Sequence, residues 1–236
     1  LKGQARRNAG LVVYDGRMAP FPTTQWSLIR RAGSTTTGRT AFGELAEAYR
    51  GAIFAFFRAR LDATSAEDAT QSFLALSFEH AWWSRADAEA GSFRGFLLLL
   101  LRRHLGRVRA SSEKETALET ELTDPGPSAE QQFDARFALA LTARAVEALR
   151  GDYRERDRGD LFEHLLATLG APPEHGDLQR IATALGMPAN TLTVELRRLR
   201  QRLREQLRAQ LQELCADAET FAEEWSTLQR ILGGAS

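Results

Sequence analysis

Between Ala41 and Arg60, residues Phe42, Leu45, Tyr49, Ile53, Phe56 and Phe57 recur at three- and four-residue steps, which gathers them on one face of a helix. Ser65-Ala-Glu-Asp68 then reads as a variant of the capping box, with a hydroxyl to accept from the first turn and acidic groups at its positive end. It predicts a second helix running to about Trp83 that buries Ala69, Phe73, Leu76 and either His80 or Trp83. After the polar stretch Ser84 to Ser92 comes a third stripe of Phe93, Phe96, Leu97, Leu100, Leu101, Leu105 and Val108. Arg102, Arg103, Arg107 and Arg109 occupy the rest of that helix, so the face away from the core is basic.

The pattern lapses from Ser111 to Ser128, where few apolar groups are available to bury and an extended linker is expected. Five acidic residues there (Glu113, Glu115, Glu119, Glu121, Asp124) face Lys114 alone, a net charge of minus four. Periodicity resumes at Phe133, Phe137, Leu141, Ala145 and Leu149, returns at Leu161, Phe162, Leu165, Leu166 and Leu169, and breaks at Gly170-Ala-Pro-Pro. From Asp177 a short helix with Leu178, Ile181, Ala182 and Leu185 inward meets Gly186, and a longer helix begins near Pro188 or Ala189. This is the outline of a helix-turn-helix. No strand-like alternation of useful length and no solenoid-period repeat occurs, so the expected class is all-α: two small helical domains joined by an acidic linker. Residues 1–20 lack any periodic pattern and are expected to form a disordered leader, with Met18 onward reading as a true beginning.

Composition adds little to this and excludes more. At 236 residues, 43% apolar and 26% charged, the chain has enough material for one large core or two small ones. Lys plus Arg equal Asp plus Glu at 31 each, so a polyanionic partner has to be sought in local clusters of charge. Cys215 is the only cysteine and the four histidines (His80, His104, His164, His175) are scattered, which leaves no internal disulfide and no metal-ligand spacing. No cofactor is expected, and a reducing cytoplasm is the natural compartment. The longest apolar run, Phe96 to Leu101, is far below the roughly 20 residues that span a bilayer, and no signal peptide is recognisable, so no membrane partner is expected.

The chemistry that remains is that of nucleic acid. Asn190, Thr191 and Thr193 bring short hydrogen-bonding groups to the start of the second motif helix, where a recognition helix meets base edges. Arg197, Arg198, Arg200, Arg202 and Arg204 follow with charge for phosphates, and they cannot all face DNA at once. In the front half, Trp82, Trp83, Arg85, Phe93, Arg94, Arg102, Arg103 and Arg107 combine rings for base stacking with cations for a single-strand backbone, though both tryptophans could instead cap the bundle as core residues.

Four stretches in order then resemble one family: Pro22-Thr-Thr-Gln-Trp-Ser-Leu-Ile-Arg-Arg-Ala-Gly, Ala66-Glu-Asp-Ala-Thr-Gln-Ser-Phe, Gly91-Ser-Phe-Arg-Gly-Phe-Leu-Leu, and Ile181-Ala-Thr-Ala-Leu-Gly-Met with Leu196-Arg-Arg-Leu-Arg-Gln-Arg-Leu-Arg-Glu. They are similar to signatures of the extracytoplasmic-function group of bacterial RNA polymerase sigma factors. The resemblance implies a region 2 over 21–110 that binds core polymerase and opens the −10 element, a linker over 111–128 threading the enzyme, a region 4 over 129–211 that reads the −35 element, and a C-terminal amphipathic extension over 212–236.

Carried onto this chain, the resemblance gives Glu67, Asp68, Gln71 and Ser72 to the polymerase contact. The −10 strand falls to Trp83, Arg85, Arg94, Arg102, Arg103 and Arg107, and the −35 element to Asn190, Thr191, Thr193, Arg197, Arg198 and Arg200. It also implies control by an anti-sigma factor or by a Ser/Thr kinase acting near the clamp helix, on Thr64, Ser65 or Thr70. Relatives often carry Arg at the position of Ser92 and His at that of Arg197, so no promoter preference carries over. The extension, apolar along Leu211, Leu214, Ala218, Phe221, Trp225, Leu228 and Leu232, either packs on the second domain or covers the recognition helix. The alternative is a stand-alone helix-turn-helix regulator. An enzyme finds no support in a Gly-rich phosphate loop, a nucleophile elbow or a metal-spaced set.

Overall fold

The computed structural model describes residues 36–83, 91–112, 127–169 and 176–233. The leader, Arg85 and most of the linker (113–126) lie outside the described residues. The described chain is all-helical: α1 (Thr36–Arg58), α2 (Ala63–Glu79), α3 (Phe93–Ser112), α4 (Ala129–Arg154), α5 (Gly159–Ala167), α6 (Asp177–Ala184), α7 (Ala189–Gln212) and α8 (Ala218–Gly233).

Local chemistry explains where these helices start and stop. At the end of α1 the Arg58 guanidinium donates to Leu61 O at 3.1 Å, tying the reversal that leads into α2. The cap of α2 is Asp62 rather than the expected Ser65: its Oδ1 accepts from the Thr64 and Ser65 N–H groups at 2.9 and 3.0 Å. The reversal is so tight that the first free acceptor ahead of α2 is this carboxylate, and the helix begins two residues before Ser65. It also ends early, at Glu79, because Ala81 turns into the left-handed region at φ 48°. Ser128 and Gln131 form a reciprocal capping box at the start of α4, and the Asp217 carboxylate accepts from the Thr220 N–H at 2.8 Å at the start of α8.

Burial divides into two clusters. The first gathers Tyr49, Phe56 and Phe57 of α1, Phe73 of α2, Trp83, Phe93 and Leu101 of α3, and then Phe133, Phe137 and Leu141 of α4, Leu207 and Leu211 of α7 and Leu228 of α8. The second holds Leu149 and Tyr153 of α4, Leu161, Phe162 and Leu165 of α5, Ala182 of α6, and Leu192, Leu196 and Leu199 of α7. Each fully buried aromatic contributes on the order of 2 kcal/mol from its apolar area. The dividing line therefore crosses α4 between Ala145 and Leu149 and α7 near Leu203, which touches both clusters. The front core is completed by residues that follow the linker: Tyr49 stacks on Phe137 with centroids 5.1 Å apart and planes 13° from parallel. No helix among the described residues is long and apolar enough to cross a membrane.

Candidate nucleic-acid interface

The turn between α6 and α7 is built on Gly186, whose φ of +63° lets its N–H reach Thr183 O at 3.2 Å while the Met187 N–H reaches Ala182 O at 2.9 Å. Pro188 precedes the first helical residue of α7 in extended conformation, as a residue without an N–H can do at no cost. With Leu192, Leu196 and Leu199 buried, the opposite side of α7 is turned outward. At about 100° per residue, Asn190, Thr193, Arg197, Arg200 and Arg204 fall within roughly 80° of arc, and all five are exposed. Arg197, Arg200 and Arg204 form no ion pair among the described residues.

Two expected members stand off this line. Thr191 is exposed but lies about 120° round the helix from Arg197. Arg198 is engaged: its Nη1 donates to the buried Glu195 at 2.9 Å, and Arg158 takes the other oxygen of that carboxylate at 3.1 Å. Arg202 leans over the Tyr153 ring at 5.6 Å, so it serves packing. The sequence counted Arg204 among the arginines of this helix but left it out of the −35 set; it joins the stripe because it lies seven residues, two turns, beyond Arg197.

On α3 the expected −10 set is split. Trp83 is fully buried, its ring 4.8 Å from Phe42 and 5.9 Å from Phe93, which corrects its assignment as a base contact: no face of the indole is open to a base. Trp82 is the half-buried neighbour, with the Arg107 guanidinium 5.6 Å over its ring and His80 stacked 6.0 Å away. Arg103 is exposed one turn before Arg107 on the same face. Arg102 is exposed as well and donates to Glu130 at 3.2 Å. Arg94 is not open to solvent as expected. Its Nε and Nη2 donate to Glu224 at 2.6 and 3.1 Å, and its Nη1 donates to Asp134 at 2.6 Å. Burial alone would lower the Arg94 pKa, but the two carboxylates hold it above the ordinary arginine value. Burial pushes the Asp134 carboxyl up, against the pull of Arg94.

On α2, Asp68, Gln71 and Ser72 are exposed and neighbour one another at helical spacing. Glu67 accepts from Gln71 Nε2 at 3.0 Å and pairs with Arg50 of α1, and these bonds hold its carboxyl below the ordinary glutamate value. The Ser72 hydroxyl lies 3.1 Å from Nε2 of the buried His104. Of the modification candidates, Thr64 is exposed and Ser65 half-buried, but Thr70 is fully buried with its hydroxyl donating to Ala66 O at 2.7 Å. Thr70 is therefore out of a kinase's reach, a correction forced by its place on the same face as Ala66 and Phe73. Among the described residues no group of three or more His, Cys, Asp or Glu could hold a metal ion.

Comparison with protein-family models, with curated proteins and with solved structures finds no match.

Proposed function

We propose that this chain is a promoter-specificity subunit of bacterial RNA polymerase, an alternative sigma factor of the extracytoplasmic-function group acting in the cytoplasm. In this reading residues 21–110 dock on core polymerase and capture the separated −10 strand, 129–211 read the −35 duplex, and the acidic 111–128 segment joins the two functions. The observation that carries it is the exposed stripe Asn190–Thr193–Arg197–Arg200–Arg204 on α7, which sets hydrogen-bonding groups at a helix start and cations along the following two turns. Arg103 and Arg107 of α3 with Trp82 of the turn after α2 support it, because a ring beside cations suits unpaired bases rather than duplex. Asp68, Gln71 and Ser72 supply the polymerase contact, with Glu67 partly neutralised by Arg50. Thr64 and Ser65 at the start of α2 are the residues a kinase could modify, and a phosphate there would sit at the positive end of the helix while adding charge to the docking face. An anti-sigma factor would cover the same face.

The test is transcription in vitro by core polymerase on a library of genomic fragments, with and without the full chain. New start sites that depend on the chain are expected. Binding of DNA fragments by the chain alone, unaltered by core enzyme and without new starts, would instead favour a stand-alone regulator.

A further inference from the structure

Among the exposed large apolar side chains of the described residues, Val194 alone belongs to α7, with 47% of its surface open. At about 100° per residue it lies within roughly 15° of the direction opposite the mean of Leu192, Leu196 and Leu199, at the crest of the outward side. Helical spacing makes it a neighbour of Asn190 one turn before it and of Arg197 one turn after it, both of them exposed. Thr193 is the fourth corner of this diamond. Its hydroxyl donates to Ala189 O at 3.1 Å and so has no proton left for a ligand. Between the Asn190 amide and the Arg197 guanidinium the surface therefore offers the methyl groups of Val194 and no side-chain donor.

The fold gains nothing from a valine there. A β-branched side chain loses rotamer freedom in a helix and is a poorer helix former than alanine, and at an outward position burial does not offset that. Single exposed hydrophobes are ordinary on protein surfaces. This one, however, lies in the first two turns of the second helix of a helix-turn-helix, the part that meets base edges. In the major groove the base pairs present donors and acceptors, and the one methyl group among them is that on C5 of thymine.

We propose that Val194 is a specificity-determining residue that packs on the C5 methyl of a thymine in duplex DNA, with Asn190 and Arg197 engaging the groups on either side. The inference rests on reading α7 as the helix that enters the major groove. Discrimination follows from both halves of the contact. Thymine buries its methyl against the valine, whereas cytosine lacks that methyl and brings an N4 amino donor to a side chain that has no acceptor to satisfy it.

The test removes the methyl from the DNA and from the protein in turn. A random-sequence duplex pool is enriched on the full-length chain, alone and assembled with core polymerase. The enriched duplex is then remade with deoxyuridine in place of one thymidine at a time, which keeps every hydrogen-bonding and phosphate group and deletes only the methyl. At one position the replacement should weaken binding by the native chain about fourfold, the contribution of one buried methyl. The slope of log affinity against log salt should stay the same, because no phosphate contact is lost. Val194→Ala should bind the thymidine duplex about fourfold more weakly than the native chain and should no longer distinguish it from the deoxyuridine copy. Val194→Ile should keep the preference. Because the side chain points outward, Val194→Ala should match or exceed the native urea midpoint, which separates this loss from one of folding.

Equal affinity of the native chain for the thymidine duplex and for every deoxyuridine copy would overturn the proposal, and so would a thymine preference that survives Val194→Ala. A Val194→Ala chain that loses core polymerase yet keeps the preference would give the side chain to a protein partner instead. Failure to enrich any duplex, with or without core polymerase, would sink the reading of α7 itself, and the inference with it.

Discussion

Arg200 and Arg198 sit two residues apart on α7 and meet different fates, and that difference can be measured. Arg200 is exposed without an ion pair among the described residues, whereas Arg198 is bonded to Glu195. Arg200→Ala should lower the slope of log affinity for duplex promoter DNA against log salt by about 0.9, one phosphate contact; Arg198→Ala should leave the slope nearly unchanged, and equal losses from both would remove the distinction. His104 offers a second residue-level test. Burial, with the Arg107 charge adding to it, holds its imidazole below the ordinary value of 6.5. The unfolded chain takes up a proton near that value which the folded chain refuses. The ring's contribution to stability is therefore complete above roughly pH 7, declines as pH falls through the unfolded value, and levels off once the folded form is protonated too. The urea midpoint of the native chain should drop between about pH 7.5 and about pH 5.5 more than that of His104→Gln; identical drops would contradict the assignment.

Much of this scale was legible and some was not, for stateable reasons. Thr70 could have been placed inside from its spacing of four from Ala66 and three from Phe73, a signal present in the sequence. Trp82 and Trp83 differ by a third of a helical turn, so only one can face the core. The left-handed Ala81 sets which one, and it lies past the end of the regular pattern. Arg94 looks free in the sequence because its partner Glu224 is 130 residues away, beyond any local rule.

Among the elements, turn chemistry decides how α6 and α7 meet. A Cβ on Gly186 would touch nothing within 4 Å, so the cost of Gly186→Ala is conformational alone, about 1–2 kcal/mol for the left-handed backbone. Gly106, inside α3 and equally open, makes the control: Gly106→Ala should stabilise by about 0.5–1 kcal/mol. Urea unfolding of the two variants checks both signs, and a stabilising Gly186→Ala would show that the turn is not left-handed in solution. Helix existence and the inward faces of α1, α3, α4 and α7 followed from periodicity. Boundaries did not: the reading missed Asp62 as the cap because a carboxylate outside the periodic run carries no hydrophobic mark.

For the whole molecule, sequence periodicity says that Phe133, Phe137 and Leu141 are buried but not against what. A break was expected at 111–128, yet the same α4 that opens after it stacks Phe137 on Tyr49 and ends in the second cluster at Tyr153. Two continuous helices, α4 and α7, thread both cores. Unfolding should therefore be coupled: the tryptophan fluorescence of the first cluster and the far-ultraviolet circular dichroism of the whole chain should trace coincident urea transitions, and separated midpoints would show independent halves.

The central claim is that the chain reads promoters as part of a polymerase rather than alone. Footprinting one promoter fragment with the chain, with core polymerase and with both tests it most directly. The account predicts one asymmetric protected region, extending from the −35 element through a melted −10 element, only when both are present; protection of two symmetric half-sites by the chain alone would contradict it.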